Sequence, residues 1–193
     1  MKKIVLLVSF LMVLALSASA QTYINFHEMP VASTPTPMPD YYPSDMNLTW
    51  TNFYYVTPGI WSGAGPGFWV DPTPQHNSVA FIGGPLCSLA TSCNGSIKLE
   101  QIGMSPTSKG FTPISMILSS GWANNRVTIM AYSNGKFVGT VTWKLTTEPY
   151  TFSFPTSWTY VTQLVFTPSF LTTNTVAPKP GSMVIYSFIL MQH

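Results

Sequence analysis

Val127-Thr128-Ile129-Met130-Ala131-Tyr132-Ser133-Asn134-Gly135-Lys136-Phe137-Val138-Gly139-Thr140-Val141 decides the fold class. Two runs of β-branched and aromatic residues flank Asn134-Gly135. Both central residues of a type I′ turn need positive φ, which Asn and Gly tolerate better than other residues. The pattern predicts a two-residue hairpin that pairs Tyr132 with Phe137, Met130 with Gly139 and Thr128 with Val141. Trp143 then extends that apolar face, and Val127, Ile129, Val138, Thr140 and Thr142 share the other.

Outward from this hairpin the same grammar repeats. Leu48 to Val56 reads as one strand rich in Trp, Thr, Phe and Tyr, and Asn77 to Ile82 as a short apolar one. Ile97 and Leu99 alternate with Lys98 and Glu100, which gives one buried and one wet face. Ile114, Met116 and Leu118 continue the period of two, while Val161–Phe166 and Met183–Met191 are apolar on both faces. Residues 31–46 hold Pro35, Pro37, Pro39 and Pro43 in an irregular extended segment. Tyr23-Ile24-Asn25-Phe26 before it reads as a strand returning to the same body, so residues 21–193 are expected to be one domain. Many short strands punctuated by Pro and Gly, with no long stretch at helical spacing, predict an all-β, antiparallel two-sheet sandwich.

The N-terminus begins Met1-Lys2-Lys3, continues apolar from Ile4 to Leu16 and closes Ser17-Ala18-Ser19-Ala20. A charged start, a short apolar run and a small-x-small ending are the parts of a secretory signal peptide, here residues 1–20. The apolar run is short for a spanning helix, which needs about 20 such residues. Secretion without stable membrane insertion of the mature chain is the expectation. Loss of Lys2 and Lys3 takes the 8 basic residues to 6, against 6 acidic ones. With no basic surplus to hold phosphates, nucleic acid is not an expected partner. Charged residues make up only 7% of the chain, so Ser, Thr and Asn must supply most of the polar surface.

Cys87 and Cys93, the only two cysteines, bracket a five-residue loop and are expected to form a disulfide in an oxidising compartment. Asn47-Leu48-Thr49 and Asn94-Gly95-Ser96 match the N-glycosylation acceptor pattern.

Several segments together resemble a family of secreted jelly-roll β-sandwich proteins, many of whose bacterial members carry a C-terminal sorting tail. They are Ile24-Asn25-Phe26-His27-Glu28-Met29-Pro30, Leu48 to Tyr55 and Asn77-Ser78-Val79-Ala80-Phe81, followed in order by the hairpin and the closing strands. The family is similar to carbohydrate-binding modules and galactose-binding-like domains, so the resemblance implies a jelly-roll-like sandwich. Such domains often hold a structural calcium between an early acidic residue and acids on the last strand. Glu28 matches the early position, but Val184-Ile185-Tyr186-Ser187-Phe188 has no carboxylate, and no metal or cofactor is expected. The chain ends at His193 without the sorting tail.

No catalytic constellation emerges. His27, His76 and His193 fall at no metal-ligand spacing, and Gly59-Ile60-Trp61-Ser62-Gly63 is not a nucleophile elbow. A glycosidase pair such as Glu100 with Glu148 has nothing in the sequence to single it out. The expected function is a non-enzymatic binding module for glycans. The alternative is an extracellular structural or adhesive protein acting by self-association through strand edges. The candidate ligand loop is Pro58–Asp71, where Trp61, Phe68 and Trp69 stand among glycines and prolines, with Asp71, Gln75 and Asn77 close by to bond hydroxyls. The competing reading of these rings is that they fold back and cap one end of the sandwich. Trp122 is a second candidate ring.

Overall fold

The computed structural model describes residues 21–60, 62–68, 78–82, 94–100, 110–122, 124–170 and 183–193. Twelve strands and no helix occur among them: β1 Gln21–Asn25, β2 Thr36–Pro37, β3 Leu48–Thr51, β4 Phe53–Val56, β5 Val79–Ile82, β6 Gly95–Leu99, β7 Phe111–Ser120, β8 Asn125–Ser133, β9 Lys136–Leu145, β10 Tyr150–Ser153, β11 Gln163–Phe170 and β12 Met183–Gln192. They form two antiparallel sheets. The first runs β10-β7-β12-β5-β4-β2, and β1 also pairs with β12; the second runs β3-β6-β11-β8-β9. The architecture is the expected all-β, jelly-roll-like sandwich.

The central strand of the first sheet is β12. It pairs with β7 along its length, with β5 at Val184 and Ile185, and with β1 from Ser187 to Met191. The two ends of the described chain therefore lie side by side. Between the sheets, Leu48, Ile97, Val127, Ile129, Leu164 and Phe166 pack toward Ile24, Met116, Leu118, Ile185, Phe188 and Leu190 in one buried cluster. A smaller cluster of Val56, Phe68, Val79, Phe81 and Val184 is separate from it. Successive strand residues point to opposite faces, which explains why all four residues of β5 are buried: Ala80 and Ile82 join the large cluster, Val79 and Phe81 the small one.

Asn134 and Gly135 have φ of 48° and 77°, as the hairpin reading requires. Tyr132 pairs with Phe137 as expected. The deeper register differs: Gly139 faces Ala131, Val141 faces Ile129 and Trp143 faces Val127, because a bulge leaves Val138 unpaired. A bulge inserts one residue and reverses every side chain beyond it. It turns Val141 and Trp143 toward the core that holds Val127 and Ile129, and seats Gly139 beneath Trp158, whose Nε1 lies 2.6 Å from where a Cβ would stand. Thr128 instead bonds Thr142 across the wet face at 3.2 Å.

A second correction concerns Leu48–Val56, read as one strand. At Asn52, with φ of 59°, the chain leaves the second sheet and enters the first, which makes two strands. A third bend lies in β7, where the pairing skips Ile114, leaving it half-buried while Met116 and Leu118 are fully buried. Residues 31–46 are irregular except at β2, which pairs with β4, and they are attached to the body: Met38 donates to the Phe53 carbonyl at 3.0 Å, and Ala32, Met38 and Met46 are buried.

Candidate functional site

In β1 the alternation buries Ile24 and leaves Tyr23 56% exposed. After Asn25 the chain turns: the His27 amide donates to Asn25 Oδ1 at 3.1 Å and the Met29 amide to the Phe26 carbonyl at 3.1 Å. This turn holds Glu28 out in solvent. Across from it, residues 39–45 of the Pro-rich segment return toward β1 and are pinned by Tyr42. The Tyr42 ring stacks on Phe26 at 5.6 Å, its amide donates to the Leu48 carbonyl at 3.0 Å, and its own carbonyl accepts Trp50 Nε1–H at 2.6 Å. Trp50 continues edge-on to Phe53, and Phe53 to Phe166, so the segment is tied into the core by a chain of rings.

The Tyr42 hydroxyl donates to the Asn25 carbonyl. Burial, and secondarily the nearby negative charge of Glu28, push the phenol up to about 12, so it stays a neutral donor at physiological pH. Between the two segments lies a cleft of about 780 Å³. Tyr23, Asn25, Glu28, Tyr41, Tyr42 and Asp45 line it, and Pro39 and Pro43 stiffen one wall. Among the described residues its lining offers ring faces, an amide and two carboxylates, and no Lys or Arg. Ligand sites of this size commonly combine apolar walls with a few convergent polar groups. Among the described residues no group of three or more His, Cys, Asp or Glu side chains could hold a metal ion.

The loop chosen from the sequence is placed only in part. Phe68 is buried, with ring contacts at 5.4 Å to Phe81 and 5.0 Å to Trp122, and it caps the smaller cluster instead of facing solvent. Trp122 is half-buried against it. Close approach is the reason for two loop glycines: a Cβ on Gly67 would stand 1.6 Å from the Ser120 carbonyl oxygen, and one on Gly65 2.3 Å from Trp122. The Gly67 amide donates to the Gly121 carbonyl at 2.9 Å, and its carbonyl accepts from the Ser119 and Tyr186 hydroxyls. These glycines bring the loop onto the end of β7. Trp61, Trp69, Asp71, Gln75 and Asn77 lie outside the described residues, as do Cys87 and Cys93.

Asn94 is exposed, whereas Asn47 is half-buried at φ of 51° with its carbonyl accepting the Glu100 amide. Glu100 is engaged by Lys98 at 2.9 Å. The sequence reading passed over Tyr23, Tyr41, Tyr42 and Asp45. A local signal existed in Asp40-Tyr41-Tyr42 and Asp45, but their proximity to Tyr23 and Glu28 is a tertiary fact.

The fold and its cleft define a class: an antiparallel two-sheet sandwich with a tyrosine-lined groove beside its N-terminal strand. No protein-family model matches the chain, and no curated protein does. Among solved structures, a DUF4465 family protein from Bacteroides caccae superposes with a TM-score of 0.62 at 8% identity, over 90% of this chain and all of that one, and shares the fold. A mutant family 29 carbohydrate-binding module gives 0.41 at 9% identity, over 90% of this chain and 86% of its own. A CBM4 structure gives 0.33 at 11% identity, over 91% and 88%.

Proposed function

We propose that this chain is a secreted, non-catalytic glycan-binding module whose saccharide lies in the cleft between β1 and residues 39–45. One observation carries the reading: the exposed Tyr23 ring, the half-buried Tyr41 ring and several hydrogen-bonding groups converge on a groove whose wall is held in place by Tyr42. Rings can stack on the apolar faces of sugars, while Asn25, Glu28 and Asp45 accept from hydroxyls. A wall anchored before the ligand arrives reduces the ordering cost of binding. The signal-peptide pattern of residues 1–20 supports an extracellular location. Trp61 and Trp69 remain a second proposed contact surface.

The adhesive alternative needs a strand edge that accepts a second copy. One terminal strand of the second sheet, β9, carries Lys136 and Lys144, and antiparallel pairing of two copies about Thr140 would set each Lys136 opposite a Lys144. Like charges in register oppose such pairing. Calorimetry of the mature protein with neutral oligosaccharides, alone and as Tyr23→Ala or Tyr41→Ala, tests the reading. Each substitution is expected to weaken binding about tenfold, equivalent to about 1.4 kcal/mol, at unchanged melting temperature. Undiminished binding moves the site elsewhere; saccharide hydrolysis by the native protein overturns the non-catalytic reading.

A further inference from the structure

Charge is unevenly distributed along this chain. Between Gln21 and Ile97 there is no Lys or Arg, while Glu28, Asp40, Asp45 and Asp71 all fall there. All six basic residues of the mature chain lie at Lys98 or beyond. The fold converts this asymmetry into a local field, because both Glu28 and Asp45 line the cleft and Asp40 sits in the segment that forms its wall. Both cleft carboxylates are exposed, and among the described residues neither makes an ion pair, the one such pair being Lys98–Glu100. The Tyr42 hydroxyl, which also lines the cleft, is committed to the Asn25 carbonyl.

We infer that the cleft prefers saccharides bearing protonated amino groups, such as oligomers of free glucosamine, over neutral or acidic ones; this rests on the glycan-binding reading above. An ammonium can be met by a carboxylate and, at the same time, by the face of a tyrosine ring. Uronate and sulfate groups would enter a groove that already holds two like charges, and a charged concave surface concentrates ligands of opposite sign. A divalent ion is a poorer match, because calcium takes six to eight oxygens and two separated side-chain carboxylates are a small part of that.

Calorimetry at pH 5.5 with four probes tests this: a glucosamine tetramer, its N-acetylated counterpart, a cello-oligosaccharide and an oligogalacturonate. The glucosamine tetramer is expected to bind roughly three- to tenfold tighter than the acetylated one, since exposed charge pairs each contribute modestly, and the preference should shrink with added salt. The double variant Glu28→Gln, Asp45→Asn is expected to erase the preference, bringing the amine and acetylated probes to equal affinity, with an unchanged melting temperature as the check on folding. Equal affinity for the amine and acetylated probes in the native protein, or tighter binding of the oligogalacturonate, overturns the charge inference and leaves the glycan reading standing. Failure of all four probes to bind removes the glycan reading, and the inference with it.

Discussion

At Gly135 a substitution can be made whose effect comes almost entirely from the backbone. Its φ is 77°, and a Cβ added there would meet nothing within 4 Å. Gly135→Ala therefore introduces no clash and removes no packing. Holding an L-residue in the left-handed region costs about 1–2 kcal/mol. Restricting the unfolded chain at the same position offsets about 0.4–1 kcal/mol of that. The net loss is roughly 0–1.6 kcal/mol, and at about 2–4 °C per kcal/mol for a domain of this size it lowers Tm by roughly 0–6 °C. Gly135→Val, β-branched and stiffer, should lose more. Thermal unfolding followed by circular dichroism in the β-sheet region reads the effect. If both variants melt with the native protein, the turn does not constrain the hairpin as described. If Gly135→Ala falls by more than about 10 °C, far beyond what backbone strain supplies, the side chain has met something and the open environment of Gly135 is wrong.

Other expectations follow from the same geometry. Gly67→Ala forces a Cβ onto the Ser120 carbonyl and should cost about 3 kcal/mol or more, read by urea unfolding; a loss no greater than that of Gly135→Ala would contradict the close approach of the loop to β7. Tyr42 has its phenol raised from 10.0 to about 12 by burial and then by Glu28, so the folded state keeps a proton that the unfolded chain releases first. That contribution is complete below pH 10 and disappears as pH rises toward 12, so the stability advantage of the native protein over Tyr42→Phe should shrink across that interval; a constant or growing difference would count against it. Trp61→Ala and Trp69→Ala should weaken saccharide binding without moving Tm, and unfolding instead would mark those rings as caps in the manner of Phe68. Intact mass of the secreted protein should correspond to a chain starting at Gln21 and rise by the mass of two hydrogen atoms on reduction of Cys87–Cys93; two free thiols in freshly secreted protein would refute the bridge.

Legibility followed the range of the interaction. The Asn134-Gly135 turn is a four-residue matter, and the chain's own φ preferences at those two residues are what the fold uses. Ile97 and Leu99 against Lys98 likewise declare their faces within five residues. The bulge at Val138 had no such local mark, because what favours it is Trp158 lying over Gly139 from nineteen positions along the chain. Phe68 looked like a ring offered to a ligand because it stands among glycines; the same glycines allow contact with Ser120 and Gly121, and the ring is covered by Phe81 and Trp122.

Alternation and turn chemistry are set by neighbouring residues, so the all-β class, the main hairpin and the wet and dry faces of the simplest strands can be read along the chain. The division of Leu48–Val56 between two sheets at Asn52, the seating of β1 against β12 and the cleft that Tyr23 and Glu28 share with Tyr41 and Asp45 arise from long-range packing. Those outcomes depend on which distant strands pair and on where Tyr42 finds Phe26, Asn25 and Trp50. Pairing of that kind is selected by burial summed over the whole core, and no short stretch of chain contains the partners that settle it.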